Sequence, residues 1–326
     1  MLPGRVLLLR NPKARRAPSE AALIEAATPL RDRGWAIELR STRAAGEATS
    51  LAAAAAARGL DAVVAVGGDG TVHEVVNGLA GSRTALGVVP AGTANVWARE
   101  AGVPRGTRRA LAFLAAARSA RVDLGSVAFE GDGSSGSDAA SNDAPARRFL
   151  MMCSAGLDAD IVRLVGAGGW RKRLLGPGWY AARGAVAGAR ARPARARIEV
   201  DDVPIERELL MAVAGNTRLY GGVARLTGAA RADDGLLDLA AFSGAGLARR
   251  LRLTARAARG GLDRRSGDGV DYLRGARIRI AADRPLAVQA DGELVGETPV
   301  TLTVEPRALT VLLAPGPNPL LTAEAG

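Results

Sequence analysis

Residues 61–79 read DAVVAVGGDGTVHEVVNGL, and this stretch constrains the fold more than any other. The run 62–66 is short, apolar and rich in valine, as in a strand buried on both faces. Gly67, Gly68, Asp69, Gly70 and Thr71 follow directly. Val72, Val75, Val76 and Leu79 then recur at helical spacing, with Glu74 and Asn77 between them. The pattern is strand, glycine turn, helix. Glycines at 67, 68 and 70 let the backbone turn tightly and lie close to a ligand. The free N–H groups at the helix start favour a phosphate. Asp69 places a carboxylate where that phosphate would sit. The two repel, so Mg2+ or its waters would mediate between them. The plain alternative is a structural turn with Thr71 as helix cap. The motif is neither the GxGxxG dinucleotide fingerprint nor the Walker phosphate loop.

At 326 residues the chain can build two domains with cores of their own. Lys and Arg total 44 against 33 Asp and Glu, a net charge of +11. That balance favours anionic partners: a nucleotide, an anionic lipid surface or a nucleic acid. No recognised nucleic-acid motif accompanies it, and aromatics at 3% are too sparse for a base-stacking platform, so nucleic acid is not expected. Cys153 is the single cysteine, which excludes a disulfide framework and fits a reducing compartment. The run MLPGRVLLLR is too short for a secretion signal, and no apolar span reaches membrane length. The expectation is a cytoplasmic protein that touches the inner face of the cell membrane only peripherally.

Residues 5–9 read as a buried strand ending at Asn11-Pro12, and 35–41 as a second strand with Thr42 beyond its end. Helices are expected at 19–33, with Ser19 as N-cap and Gly34 past the end, and at 46–58. A further strand at 85–89 is followed by Pro90, Ala91, Gly92, Thr93, Ala94 and Asn95, then by helices at 96–100 and 107–117. Alternating strands and helices imply a doubly wound parallel sheet. Its strand ends aim Asn11, Thr42, Asp69 and Thr93 at one edge, where such sheets bind ligands.

From about residue 121 the pattern changes. Short strands at 121–129, 148–154, 196–200, 206–214, 236–242, 276–281, 286–290, 300–304 and 308–313 predict an antiparallel sandwich or barrel. The expected fold is therefore an α/β N-terminal domain with a doubly wound parallel sheet (1–122), plus a β-rich, antiparallel sandwich-like second domain (123–314). A C-terminal tail (315–326) would pack back on the first domain. Residues 130–145, EGDGSSGSDAASNDAP, lack core formers and read as a disordered loop. Arginines across 163–183, with Trp170, Trp179 and Tyr180, and across 249–265 suit either a membrane interface or a solvated surface.

Asn11-Pro12, GGDGT at 67–71 and GTAN at 92–95 occur in that order. Gly215-Asn216, Tyr220-Gly221-Gly222, Asp233-Asp234-Gly235-Leu236 and Asp291-Gly292-Glu293 follow. This ordered set, spread over residues 5–313, resembles the diacylglycerol kinase catalytic family, which includes bacterial lipid kinases and sphingosine kinases. The resemblance implies a two-domain lipid kinase that uses ATP and Mg2+. Its first domain would share its fold with NAD kinases and phosphofructokinases, with ATP in the cleft between the domains. Asn11 and Thr42 would contact nucleotide. Gly67, Gly68, Asp69, Gly70 and Thr71 would wrap the phosphates, with Asp69 on the Mg2+ network. Gly92 and Thr93 would approach the nucleotide, and Asn95 would orient their loop. Glu74 and Asn77, a turn apart on one helix face, would support this site or simply be solvated.

Asp291 matches the family's general base, since a lipid hydroxyl must give up its proton as it attacks the γ-phosphate. Glu293 lies two residues on, the spacing that puts both carboxylates on one strand face. Asp-Gly equally suits a hairpin turn. Asp233, Asp234 and Leu236 match a segment that holds a structural Mg2+ in some bacterial members, here without its usual preceding proline.

This chain also departs from the family pattern. Val96 stands where many members carry an acidic residue. Lys13, Arg15 and Arg16 follow Asn-Pro in place of a Ser-Gly pair, either as phosphate-binding charge or as solvated cations. His73, the only histidine, has no nucleophile or ligand pattern around it and reads as structural. The expected acceptor is a diacylglycerol-like or sphingoid lipid at an anionic membrane surface, and a homodimer is open. The rival readings are an NAD kinase-like or other small-molecule kinase of the same superfold, and a catalytically silent module that binds anionic lipid.

Overall fold

The computed structural model describes residues 4–130, 147–166, 191–221, 224–243, 267 and 269–322. The disordered loop expected at 130–145, beyond residue 130, and the basic runs within 167–190 and 249–265 lie outside the described residues. The chain divides into two units. One comprises 1–124, 231–234 and 305–326, the other 125–230 and 235–304.

In chain order the first unit holds β1 (Arg5–Arg10), α1 (Glu20–Ala26), α2 (Thr28–Arg31), β2 (Ala36–Ser41), α3 (Glu47–Ala57), β3 (Ala62–Gly67), α4 (Asp69–Leu79), β4 (Ala85–Pro90), α5 (Val96–Glu100) and α6 (Thr107–Ala116). β5 (Arg118–Phe129) leads into the second unit. There follow β6 (Arg147–Phe149), β7 (Met152–Gly156), α7 (Leu157–Gly166), β8 (Ala194–Val200), β9 (Val203–Gly215), β10 (Leu219–Tyr220), β11 (Ala224–Arg225), β12 (Leu237–Ser243), β13 (Val270–Gly275), β14 (Arg277–Ala282), β15 (Ala287–Ala290) and β16 (Glu293–Glu297). β17 (Val300–Leu313) returns the chain to the first unit.

The first unit carries a parallel sheet in the order β2-β1-β3-β4, completed by the C-terminal part of β17 through Thr310↔Ala85 and Val311↔Leu86. Every residue of β3 is buried, as its valine-rich sequence requires. Helices α3 and α4 pack on each other, and α1 and α2 on α6, giving the two helix groups of a doubly wound sheet. The helix expected at 19–33 is broken after Ala27. Pro29 has no N–H to offer the Glu25 carbonyl, and the Thr28 hydroxyl takes that acceptor at 2.8 Å. Ser19 caps α1, accepting from Ala22 N–H at 3.2 Å.

In the second unit the pairings are antiparallel, in the order β16-β15-β7-β9-β8-β14-β17, with β12 on β9 and β13 on β12. β9 changes partner along its length: residues 203–209 pair with β8 and residues 211–215 with β7. Such a switch turns one ladder into the two faces of a sandwich. β8 alternates buried and exposed residues, sending Ala194, Ala196, Ile198 and Val200 into a core with Phe149, Leu239, Ile278, Val288 and Leu302. The strands expected at 300–304 and 308–313 form one strand, the strand expected at 148–154 is broken at Leu150 and Met151 into β6 and β7, and β10, β11, β13, β16 and α7 are additions to the sequence-based reading.

A short excursion, residues 231–234, belongs to the first unit and is strapped there by the chain's end. Ala232 N–H donates to Leu320 O at 2.7 Å, Arg231 Nη1 donates to Pro319 O at 3.0 Å, and Leu320 is fully buried. Among the described residues no helix is long and apolar enough to cross a membrane.

Alanine-rich α3 lies close to α4 because Gly78 carries no side chain. A Cβ there would stand 2.3 Å from Thr49 O and 2.8 Å from Ala52 Cβ. Gly78→Leu is therefore expected to force the helices apart and cost about 1–3 kcal/mol. Ala54→Leu on the exposed side of α3 should stay within about 0.5 kcal/mol of the parent. Thermal denaturation of the two variants checks this, and equal melting temperatures would refute it.

Candidate functional site

Strand order reverses between β1 and β3, and the segments leaving the carboxyl ends of strands at such a switch point are where open α/β sheets bind ligands. Here those segments are tied to one another. Asn11, just past β1, donates from Nδ2 to Thr71 Oγ1 at 3.0 Å and accepts Lys13 N–H on Oδ1 at 2.9 Å. Thr71 is thus a partner of Asn11, while Gly68 occupies the cap position of α4 with no side chain closing it.

The loop after β4 touches the glycine turn backbone to backbone. A Cβ on Gly92 would lie 2.5 Å from Gly68 Cα, so only glycine fits. Asn95, at φ 48°, holds that loop by accepting Gly92 N–H on Oδ1 at 2.8 Å and donating Nδ2 to Gly92 O at 3.0 Å. Asp69 Oδ1 accepts Val96 N–H at 2.6 Å, joining the start of α4 to the start of α5. Gly70 and Thr93 are exposed at the same edge.

The 11–18 loop is held by Arg16 N–H on Ala91 O at 2.9 Å and by Arg10 Nε on Pro18 O at 2.6 Å. Lys13, Arg15 and Arg16 project from it exposed, without an ion pair among the described residues. Thr42 is buried past β2, its N–H donating to Arg10 O at 2.8 Å.

Glu74 and Asn77 face elsewhere. Glu74 Oε2 accepts Ala48 N–H at 3.0 Å in the first turn of α3, and Asn77 Nδ2 donates to His73 O at 2.9 Å. The structure therefore gathers Asn11, Gly67, Gly68, Asp69, Thr71, Gly92 and Asn95 into one bonded cluster. Glu74 braces two helices instead.

In the second unit, Asp291 and Gly292 form the two-residue turn between β15 and β16, with φ 49° and 92°. Positive φ at both positions is the type I′ pattern that Asp-Gly favours. Asp291 is buried, and its carboxylate accepts three consecutive backbone N–H groups: Leu150 on Oδ2 at 2.8 Å, and Met151 and Met152 on Oδ1 at 2.9 and 3.0 Å. Asn216 holds the same segment from its carbonyls, donating Nδ2 to Leu150 O and N–H to Met151 O, both at 2.9 Å. Glu293 opens β16 and is exposed, so the two carboxylates do not share a strand face.

Beside this turn lies a buried polar group absent from the sequence-based reading. Asp158, in the first turn of α7, accepts from Ser154 Oγ and Tyr220 Oη, and from Gln289 Nε2 at 2.8 Å. Burial pushes the Asp158 carboxyl above the ordinary carboxylate range, against the opposing pull of its Ser154 and Gln289 hydrogen bonds. Burial, with the Asp291 and Asp158 carboxylates nearby, also pushes the Cys153 thiol far up, so it stays protonated.

In the Asp233–Leu236 segment the Asp233 carboxylate is engaged by the chain near residue 322. Asp233 gives Oδ1 to Thr322 N–H at 2.7 Å and Oδ2 to Thr322 Oγ1 at 2.9 Å. Among the described residues no group of three or more His, Cys, Asp or Glu could hold a metal ion.

The raised Asp158 gives a signed pH effect. The folded state keeps a proton that the unfolded state releases near pH 4. The associated stability is fully present below that pH and is lost as pH rises towards the folded-state value. The melting temperature of the native protein relative to Asp158→Asn is expected to fall as pH rises from about 4 to 7. A difference independent of pH would contradict this.

Residues 5–127 match the diacylglycerol kinase catalytic domain, and residues 151–313 match the YegS C-terminal NAD kinase beta sandwich-like domain. A probable lipid kinase YegS-like protein of Chromohalobacter salexigens is 30% identical over 328 residues, 98% of this chain and 96% of that protein. A diacylglycerol kinase of Bacillus subtilis is 28% identical over 298 residues, 90% of this chain and 91% of that protein. The crystal structure of a diacylglycerol kinase from Bacillus anthracis str. Sterne has a TM-score of 0.73 and 21% identity, covering 95% of this chain and 97% of that one, a likeness of fold. With both domains matched in order over most of its length, this chain belongs to the diacylglycerol kinase and YegS-like family of lipid kinases.

Proposed function

We propose that this protein transfers the γ-phosphoryl group of ATP to the hydroxyl of a diacylglycerol-like or sphingoid lipid. The observation that carries the reading is the bonded cluster of Asn11, the 67–71 glycine turn and the 92–95 loop. This edge presents helix-start N–H groups and glycine backbone to an anion. Lys13, Arg15 and Arg16 add positive charge beside it.

Mg2+ carried by a nucleotide takes most of its ligands from phosphate and water, and only one or two from carboxylate. Half-buried Asp69 at the helix start fits that demand. Bound there, the ion would neutralise charge on the transferring phosphoryl group. Asp291 serves as proton acceptor. As the lipid oxygen bonds to the γ-phosphorus, its proton passes to Asp291, the bond to the β,γ-bridging oxygen breaks, and ADP leaves. The three backbone donors fix the carboxylate in one orientation, as positioning of a catalytic group requires. Glu293, exposed at the start of β16, would orient the metal or the base.

The decisive assay incubates the purified protein with γ-labelled ATP, Mg2+ and vesicles containing diacylglycerol or a total lipid extract, with the product identified by mass spectrometry. Labelled phospholipid is expected. NADP+ formation from NAD without lipid turnover would overturn the reading. Asp69→Ala is expected to raise the KM for ATP or abolish turnover while the circular dichroism spectrum is kept, and native ATP kinetics in the folded variant would remove Asp69 from the site.

Asp291→Asn should lower turnover by about 10²–10⁴-fold. The amide must also present a donor to an N–H donor, so a stability loss of about 1–3 kcal/mol is expected with it. Folded, ATP-binding Asp291→Asn protein with native turnover would exclude the base assignment.

A further inference from the structure

We infer that Gln289 is a positioning residue that fixes the Asp291–Gly292 turn against the start of α7; the inference rests on the catalytic reading of Asp291. Gln289 is a polar side chain, 2% exposed, between Val288 and Ala290, which are both fully buried. An amide in such a place is costly unless its hydrogen-bonding groups are satisfied. Here they are. Nε2 donates to Ser154 Oγ and to Asp158 Oδ2, both at 2.8 Å, and Oε1 accepts Gly292 N–H at 2.7 Å.

The orientation of the amide follows from its neighbours. Flipping it would set Nε2 against the Gly292 N–H, two donors facing each other. Register supports the same bridge: Gln289 lies directly opposite Ser154 in the β15–β7 ladder, and Asp158 follows β7 through the strand-to-helix turn at Gly156. One side chain therefore connects the backbone of the catalytic turn to α7. Asp291 is held by the 150–152 N–H groups on its carboxylate and by its own N–H on Met152 O at 2.9 Å, and the next peptide of the turn is held by Gln289. A displacement of about 1 Å at a reacting group costs on the order of 10²-fold in rate. Loss of the Gln289 bridge frees the Gly292 peptide to shift and to carry the Asp291 side chain with it.

The test uses the full chain with Gln289→Met, which keeps the volume and removes the three hydrogen bonds, and Gln289→Glu, which keeps the acceptor for Gly292 N–H. Turnover on diacylglycerol vesicles, the KM for ATP and the melting temperature are measured on each, with Asp291→Asn in parallel. For folded Gln289→Met, kcat is expected to fall about 10²-fold, with the KM for ATP changed by less than about twofold. Gln289→Glu is expected to recover part of that loss. If Gln289→Met does not fold, a reduced kcat with native KM in Gln289→Glu supports the inference, and native kcat there overturns it. A folded Gln289→Met with native kcat beside an inactive Asp291→Asn overturns the positioning role alone. Native turnover in Asp291→Asn would instead remove the catalytic reading on which it rests.

Discussion

Three consecutive N–H groups, those of Leu150, Met151 and Met152, converge on the carboxylate of Asp291. Successive N–H groups of a strand point to opposite edges, so this convergence is incompatible with a continuous strand. The chain must bend before β7, and the bend leaves donors that an apolar interior cannot satisfy. A single carboxylate satisfies all three, while Asn216 takes the carbonyls on the other side. The end of β6, the start of β7, the end of β9 and the β15–β16 turn are thereby brought to one point. Asp291, proposed above as the proton acceptor, is thus a structural keystone of the second unit.

The first unit joins its loops by close backbone approach as well as by side chains. Gly68 and Gly92 approach so closely that neither loop could hold its place beside the other with a side chain between them. Asp69 then joins the two helix starts by accepting the Val96 N–H. The missing acidic side chain at 96 therefore leaves this link intact, because the link uses the backbone of residue 96.

Much of this was legible in the sequence, and the limits have physical reasons. The valine runs, the glycine turns and the order of motifs expose the parallel sheet and the family, because buried parallel strands and phosphate turns are local patterns. Alternation reveals β8 for the same reason. The spacing of Glu74 and Asn77 shows that they share a helix face, but not that α3 covers it. The Asp158 group stayed hidden because its members, Ser154, Tyr220 and Gln289, meet only through the sheet. Its visible traces are Tyr220, one of the ordered motif residues, and Gln289, a lone polar residue inside the apolar run LAVQA. The strands expected at 300–304 and 308–313 are joined through Pro306 and Arg307 at the middle of β17. The strand absorbs them by placing Arg307 at φ 51° and giving its N–H to Asp123 Oδ1 at 2.7 Å.

The division of β17 between the two units bears on how the chain is made. The parallel sheet of the first unit lacks its fifth strand until residues 305–313 exist, and its 231–234 excursion lacks its strap until residue 320 exists. A nascent chain that has emerged only to residue 124 therefore carries the four parallel strands β1–β4 with the outer edge of β4 unpaired. Such an edge is a template for wrong partners. Domains of most proteins fold in turn as they leave the ribosome, but this first domain is the last to be completed. The longer the segment inserted between its halves, the longer that edge waits for its partner strand during synthesis.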